Sequence, residues 1–266
     1  MIPIRDTRPS YRFSWVTITL ITLNVAIFLF SLVISSQSPE CLDLTKWAQN
    51  GITPSVQVIR EYDGCYSSRE LPISRKSWFY LKYGAVPGEI TSLTDFSPLV
   101  AFPVFFTLIT STFLHGGFFH LIGNMLFLWI FGDNVEDAMG HLRFTVFYFL
   151  AGIAGSILHI AFYPGNGTPM IGASGAIAGV MAAYLLLYPN SRIVTLVPIF
   201  FFFTFIQIPA FIMVGLWFLF ELFMAFGDTV GSVARWAHVG GFLAGVLLTP
   251  YFKRDFIRIK FWDFWR

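Results

Sequence analysis

Residues 169–184 read PMIGASGAIAGVMAAY, an apolar stretch in which small side chains recur and one hydroxyl stands out. Ser174 lies close to the start of what the hydropathy predicts to be a membrane helix. Gly175 and Gly179 are four residues apart, and small residues at that spacing let two helix backbones approach closely in lipid. The stretch therefore predicts a helix that packs tightly against a neighbouring helix and has a serine near its N-terminal end.

The composition around this helix is that of an integral membrane protein. Hydrophobic residues make up 56% of the chain and charged residues 12%. Soluble domains have about 45–50% apolar and about 25% charged residues. The formal net charge of +2 is too small to predict a nucleic-acid partner. We expect the lipid bilayer to be the partner of most of the surface.

The apolar runs predict an all-α membrane protein with six transmembrane helices, because one crossing needs roughly 20 apolar residues. The predicted spans are residues 13–34, 118–131, 144–162, 170–187, 210–226 and 237–252. A membrane-dipping loop is expected before the second span. An interfacial hairpin is expected before the fifth, where Pro198 and Pro209 interrupt an over-long apolar run. The segment GDNVEDAMGHLR is expected to form a short polar turn after the second span.

Basic residues predict the orientation of the bundle. Arginines precede the first span, and lysines and arginines follow the sixth, so both termini are expected in the cytoplasm. The chain then divides into a cytoplasmic segment at 1–12, a six-span membrane domain at 13–252 and a cytoplasmic basic and aromatic tail at 253–266. The long loop at 35–95 is external. No Arg-rich transit peptide is visible, which favours a bacterial plasma membrane.

Both cysteines of the chain, Cys41 and Cys65, fall in the long external loop. Disulfides persist outside the cytoplasm. A bond closing about 25 residues would stabilise the loop by roughly 3 kcal/mol. Two unpaired thiols are the alternative.

Polar side chains at membrane depth are costly and indicate function. The second, fourth and sixth spans begin with such groups, namely His120, Asn124, Ser174 and His238. These spans run in the same direction, from outside to inside, so the four groups lie at similar depth below the outer surface. Ala237, Gly241 and Gly245 give the sixth span a small-residue face that would pack on the fourth span. That contact would set Ser174 beside His238.

This grouping has the chemistry of a serine hydrolase. A serine hydroxyl becomes a nucleophile when a base removes its proton, and His238 is the candidate base. The side chains of His120 and Asn124, one helical turn apart, are candidate donors to the oxyanion that forms on an attacked carbonyl. The backbone N–H of Ser174 is a third candidate donor. No acidic third member is evident. Taken singly, each residue has a packing role as its alternative.

Three motifs resemble the rhomboid family of intramembrane serine proteases. They are HLIGN at 120–124, GASG at 172–175 and AHVGGFLAG at 237–245, in the order and on the spans that the family has. The resemblance covers residues 102–252. It implies a six-helix fold with a water-filled cavity open to the outside, and no cofactor or metal. It also implies that the substrates are transmembrane helices of other proteins, cut near their outer ends.

The resemblance implies roles for individual residues. Ser174 and His238 would form a catalytic dyad, and His120 and Asn124 would supply the side chains of the oxyanion hole. A histidine often found near the family's site matches His115. The turn-like GDNVED implies a structural role for Glu136.

Other residues are less distinctive. Position 178 is alanine, where many members of the family carry an aromatic that stacks on the catalytic histidine. We interpret Glu221 as a structural hydrogen bonder in preference to a gate, and His159 as a packing or interfacial residue. The aromatic run at 200–203, with Trp262 and Trp265, is expected to anchor the chain at the membrane interface.

Two further hypotheses differ in class. One is a non-catalytic rhomboid-like module that binds transmembrane helices for quality control or trafficking. The other is a transporter that uses the buried histidines, although no internal repeat supports the inverted-repeat class. Other intramembrane proteases are excluded by motif, because the sequence has no HExxH zinc pair and no membrane-embedded YD and GxGD signatures.

Overall fold

The computed structural model describes residues 2–55, 64–65, 68–96, 100–199, 202–228, 231 and 233–253. Most of the predicted tail at 253–266 lies outside the described residues, as do Phe200, Phe201, Trp262 and Trp265. The elements are, in chain order, β1 (Ile2–Asp6), α1 (Trp15–Ser35), β2 (Glu40–Asp43), α2 (Thr45–Gln49), β3 (Glu70–Ile73), α3 (Arg75–Tyr83), α4 (Pro87–Ser92), α5 (Thr107–Thr110, between 3₁₀ turns at Val104–Phe106 and Ser111–Phe113), α6 (Phe118–Met139), α7 (His141–Phe162), α8 (Ser174–Leu187), β4 (Arg192–Ile199), β5 (Phe202–Pro209), α9 (Ala210–Gly227) and α10 (Arg235–Phe252).

Helices α1 and α6 to α10 pack into one bundle with two distinct ends. At the site end, α6, α8 and α10 begin while α1, α7 and α9 finish; there the rings of Phe28 and Phe118 lie 5.0 Å apart. At the opposite end, called the sheet end, β1, β4 and β5 form a three-stranded sheet. Among the described residues, α1, α6, α7 and α9 are long and apolar enough to cross a membrane. Crossings by α8 and α10 stay predictions.

Helix α8 lies in the middle of the bundle and is apolar on every side, which is typical of a fully buried helix. Its closest neighbour is α10. A Cβ built on Gly241 of α10 would lie only 1.9 Å from the carbonyl oxygen of Gly175 on α8. The predicted contact between the small-residue faces of the fourth and sixth spans is therefore confirmed.

The prediction of an all-α fold is wrong in detail, because the mostly helical chain also contains five strands among its described residues. Strands β4 and β5 form an antiparallel hairpin with Arg192 opposite Pro209, so the predicted hairpin is confirmed and its interfacial position stays a prediction. Residues 193–195 are rich in β-branched side chains, and Pro198 and Pro209 disfavour a continuous helix. β1 was not predicted, because the N-terminal segment is a strand only through its pairing with β4.

The predicted polar turn after the second span is also wrong. Helix α6 continues to Met139 and α7 begins at His141, so only Gly140 separates them. Within the last turns of α6, the buried Glu136 carboxylate accepts hydrogen bonds from the backbone N–H groups of Val16 (2.9 Å) and Thr17 (2.8 Å). It satisfies the free donors at the start of α1, which confirms its structural role.

The predicted external loop folds into a small subdomain on the site end. The described part of residues 40–96, which we call the loop subdomain, contains the antiparallel β2–β3 pair and α2 to α4. Its own core consists of Leu42, Trp47, Ile73, Leu81, Val86 and Phe96. Cys41 and Cys65 form a disulfide, so the alternative of unpaired thiols is wrong.

The loop subdomain holds the chain that leads into α8. Ala85 and Met170 exchange two backbone hydrogen bonds, of 3.1 and 2.8 Å, and the N–H of Gly88 donates to the carbonyl of Asn166 (3.0 Å). This pairing keeps residue 170 extended. It explains why α8 begins at Ser174, four residues after the predicted start at 170.

Candidate active site

A cavity of about 660 Å³ opens at the site end of the bundle. Its lining includes all four predicted site residues, His120, Asn124, Ser174 and His238. Three separate helices, α6, α8 and α10, contribute them. The structure thus brings together residues that lie up to 118 positions apart in the sequence.

Ser174 is the first residue of α8, and the glycine two residues before it makes the geometry possible. Gly172 has φ +128°, a value that favours glycine, and its N–H donates to the carbonyl of Ser111 (2.9 Å). A Cβ built on Gly172 would lie 2.8 Å from Nε2 of His120. Gly172 therefore lets the His120 ring and the Ser174 hydroxyl line the same small space.

Ser174 and His238 are in direct contact. The Oγ atom of Ser174 lies 2.7 Å from Nε2 of His238, within hydrogen-bond distance. His238 is in the first turn of α10, and the close packing of α10 on α8 brings its ring to the start of α8. In this geometry the hydroxyl can donate its proton to the imidazole.

The second nitrogen of His238 also has a partner, which was not predicted from the sequence. Nδ1 of His238 lies 2.8 Å from Oε2 of Glu221, on α9. A guanidinium nitrogen of Arg235 lies 3.6 Å from the same carboxylate oxygen. The expectation that no acidic third member accompanies the serine and histidine is therefore wrong. The available signal was that Glu221 is the sole charged residue of α9.

The remaining support of the His238 ring also comes from α9. Ala178, on α8, is fully buried and leaves the ring without an aromatic neighbour from that helix. Trp217, one turn before Glu221, has its ring centroid 6.1 Å from that of His238. This distance is within the range of aromatic pairs.

His120 and Asn124 lie one above the other on α6. One amide hydrogen of Asn124 donates to the backbone carbonyl of His120 (2.9 Å), which leaves its second N–H for another acceptor. The His120 ring packs edge-on against His115, with centroids 5.0 Å apart, so His115 lies near the site as the resemblance implies. His115 is buried, and both its ring nitrogens lack a hydrogen-bond partner among the described residues.

His159 is buried, with its ring centroid 5.0 Å from that of Tyr163, so of the two predicted roles the structure favours packing; His159 also borders the cavity. In the described part of the chain, the acidic, histidine and cysteine groups close enough to share a metal are Cys41, Cys65 and Glu70. The two sulfur atoms there are joined in the disulfide, which removes them as thiolate ligands.

Comparison with known proteins finds similar sequences within one family. A family model described as "Rhomboid domain" matches residues 103–255. Similar proteins include Rhomboid protein 1, mitochondrial, of Saccharomyces cerevisiae, which is 32% identical over 56% of this chain and 42% of its own length. RHOMBOID-like protein 6, mitochondrial, of Arabidopsis thaliana is 31% identical over 65% of this chain and 51% of its own.

A bacterial protein is similar to the same degree. The rhomboid protease GluP of Bacillus subtilis is 35% identical over 55% of this chain and 26% of its own length. The chain thus spans about half or less of the length of these relatives. The family model covers more than half of the chain and includes α6 to α10, which carry all four predicted site residues. The chain belongs to the rhomboid family.

Proposed function

We propose that this chain is an intramembrane serine endopeptidase that cleaves transmembrane helices of other membrane proteins near their extracytoplasmic ends. The observation that carries the proposal is the 2.7 Å contact between Oγ of Ser174 and Nε2 of His238 in an open cavity. A hydroxyl held against an imidazole is the arrangement that activates a serine nucleophile. Membership of the rhomboid family and the likeness to a relative named as a protease support the same reaction.

The two residues account for both halves of a peptide-bond hydrolysis. His238 takes the hydroxyl proton as Oγ of Ser174 bonds to the scissile carbonyl carbon, and it then gives that proton to the leaving nitrogen as the C–N bond breaks. An acyl ester remains on Ser174. Water then loses a proton to His238 and attacks the ester carbonyl. The new carboxylic acid leaves, and the proton on His238 returns to Ser174.

Charge on the carbonyl oxygen needs donors that are in place before the reaction. The second N–H of Asn124, the His120 ring and the backbone N–H of Ser174 border the cavity and are the groups we assign to this task. Ser174 opens α8, so its backbone N–H belongs to the first turn, where helix donors lack an internal partner. Loss of one such donor typically lowers the rate by about 100- to 1000-fold.

The length of α8 supports a site beneath the membrane surface. Its 14 residues extend about 21 Å, whereas the hydrocarbon is about 30 Å thick. Since α6, α7, α9 and α10 surround it, α8 can be short without exposing its polar ends to lipid. We infer that α8 and α10 complete six crossings, that the site end faces outwards and that the cavity supplies the water.

The site end would then be extracytoplasmic, with both termini in the cytoplasm. We propose the plasma membrane of a bacterium as the location; the similar proteins named above include both mitochondrial proteins and one from Bacillus subtilis. The oxidised Cys41–Cys65 pair supports an oxidising compartment for the loop subdomain. Thiol labelling of the reduced protein in sealed, oriented vesicles would test the placement.

A fluorophosphonate probe tests the activity without a known substrate. Detergent-purified wild-type protein should become covalently labelled, whereas Ser174→Ala and His238→Ala should not. A known active relative labelled in parallel controls for the conditions. If wild type labels no better than Ser174→Ala while the relative reacts, the enzyme proposal fails. A non-catalytic module that binds transmembrane helices would then be the better account.

A further inference from the structure

Glu221 is the sole charged residue in α9, an otherwise apolar helix. Its side chain is buried within the bundle and is only 10% exposed. An ionised carboxylate in such a place requires partners that replace water. Its partners His238 and Arg235 both lie in the first turn of α10. The carboxylate of Glu221 thus interacts with the helix that carries the candidate base.

The contact determines which nitrogen of His238 carries hydrogen. An ionised carboxylate can only accept hydrogen bonds, so the Nδ1 atom 2.8 Å from Oε2 of Glu221 must be the donor. In a neutral ring, Nε2 then keeps its lone pair, and Nε2 is the atom 2.7 Å from the Ser174 hydroxyl. A guanidinium nitrogen of Arg235 lies 3.6 Å from Oε2 of Glu221, and this positive charge stabilises the ionised form of the carboxylate.

We propose that Glu221 is a positioning residue for the reaction, which makes the Ser174–His238 pair part of a three-residue chain. The carboxylate holds the imidazole in the tautomer that can accept the serine proton. It also lies next to the positive charge that forms on His238 during each proton transfer. The inference rests on the proposed function and deepens it, because it adds a third residue at the same site.

The arrangement also explains how the ring is held although position 178 is alanine. Glu221 and Trp217 are one turn apart on α9, and both contact His238, one through Nδ1 and the other beside the ring. Helix α8 supplies the nucleophile, whereas α9 supplies the support.

The structure offers a matched control for a merely structural role. At the sheet end, Nδ1 of His141 lies 2.6 Å from Oε1 of Glu136, also a buried carboxylate on a helix. This second pair lies far from the cavity. Glu136→Gln should therefore lower stability without changing the reactivity of Ser174 in the molecules that remain folded.

The first test compares Glu221→Gln, Glu221→Asp and Glu136→Gln with wild type by the rate of fluorophosphonate labelling per folded molecule. A glutamine N–H would donate to Nδ1 and select the wrong tautomer, as when the aspartate of a serine protease triad is replaced by asparagine, which costs about 10⁴-fold. We expect a loss of about 100-fold or more for Glu221→Gln, partial recovery for Glu221→Asp, and no loss for Glu136→Gln. Equal rates per folded molecule for Glu221→Gln and wild type would overturn the proposal, and so would an equal loss in Glu221→Gln and Glu136→Gln.

A second measurement separates this inference from the proposed function. Nitrogen NMR of histidine-labelled protein reports the tautomer of His238, with the signal assigned by its loss in His238→Ala. The wild-type ring should carry hydrogen on Nδ1, and Glu221→Gln should shift it to Nε2. An unchanged tautomer overturns the positioning role. If the tautomer shifts but wild type never labels, the hold of Glu221 on the ring is supported while the enzyme proposal fails.

Discussion

Replacing Gly241 by alanine should separate the two helices that carry Ser174 and His238. The added Cβ would meet the carbonyl oxygen of Gly175 at 1.9 Å, and its other near neighbours are also backbone atoms that cannot rotate away. A carbon atom approaches a carbonyl oxygen to about 3.3 Å. The helices α8 and α10 must therefore part by about 1.4 Å at this point.

This displacement is transmitted directly to the candidate catalytic pair. Ser174 adjoins Gly175, and His238 lies one turn before Gly241, so the 2.7 Å contact should lengthen past the hydrogen-bond limit of about 3.2 Å. A misplacement of about 1 Å can cost about 100-fold in rate. Overpacking costs about 1–3 kcal/mol of stability, and alanine in place of glycine within a helix offsets about 0.5–1 kcal/mol of that.

The assay is fluorophosphonate labelling of purified Gly241→Ala, normalised to the folded fraction from thermal unfolding. The matched control is Gly215→Ala on α9, where nothing among the described residues lies within 4 Å of the added Cβ. Gly215→Ala should label as wild type, whereas Gly241→Ala should be about 100-fold slower. Labelling of both variants at the wild-type rate would refute the reasoning, because the helix contact would then not set the distance between Ser174 and His238.

Three other predictions concern the surroundings of the site. Gly172→Ala places a Cβ 2.8 Å from Nε2 of His120, on a backbone with φ +128°. It should lower the free energy of unfolding by about 1–3 kcal/mol and slow fluorophosphonate labelling of Ser174. Wild-type stability and a wild-type labelling rate would contradict this. Replacing Cys41 and Cys65 by serine opens a loop with a sequence separation of 24 and should destabilise the loop subdomain by about 3 kcal/mol, seen as faster limited proteolysis there; unchanged cleavage rates would count against it. Burial raises the pKa of Glu89 in α4 from 4.5 to about 8, so the stability of the loop subdomain should be full below about pH 4.5 and fall as the pH rises towards 8. Thermal unfolding at pH 5 and pH 8 should show this fall in wild type and a smaller one in Glu89→Gln, and the idea fails if the two proteins respond alike.

The sequence alone predicted the long helices of the bundle and most of the candidate site, but not the short helices α2 to α5. Long apolar runs mark α1, α6, α7 and α9, because lipid requires continuous apolar surface and internally satisfied backbones. The glycines of α8 and α10 indicated a close contact between these helices, and the polar groups at membrane depth indicated that the functional site lies at their first turns. From these signals the meeting of Ser174 with His238 follows, because helices that pack tightly at one end bring their first turns together.

Tertiary structure decided what local patterns leave open. β1 forms only because β4 offers it a partner 190 or so positions away, and no local periodicity reports such pairing. The side of α9 that carries Glu221 is likewise undetermined by its sequence, since α9 is apolar all round and has no face that hydropathy can orient. Packing against α10 turns that face inwards, and the single carboxylate reaches the imidazole because burial without a partner would be far less favourable.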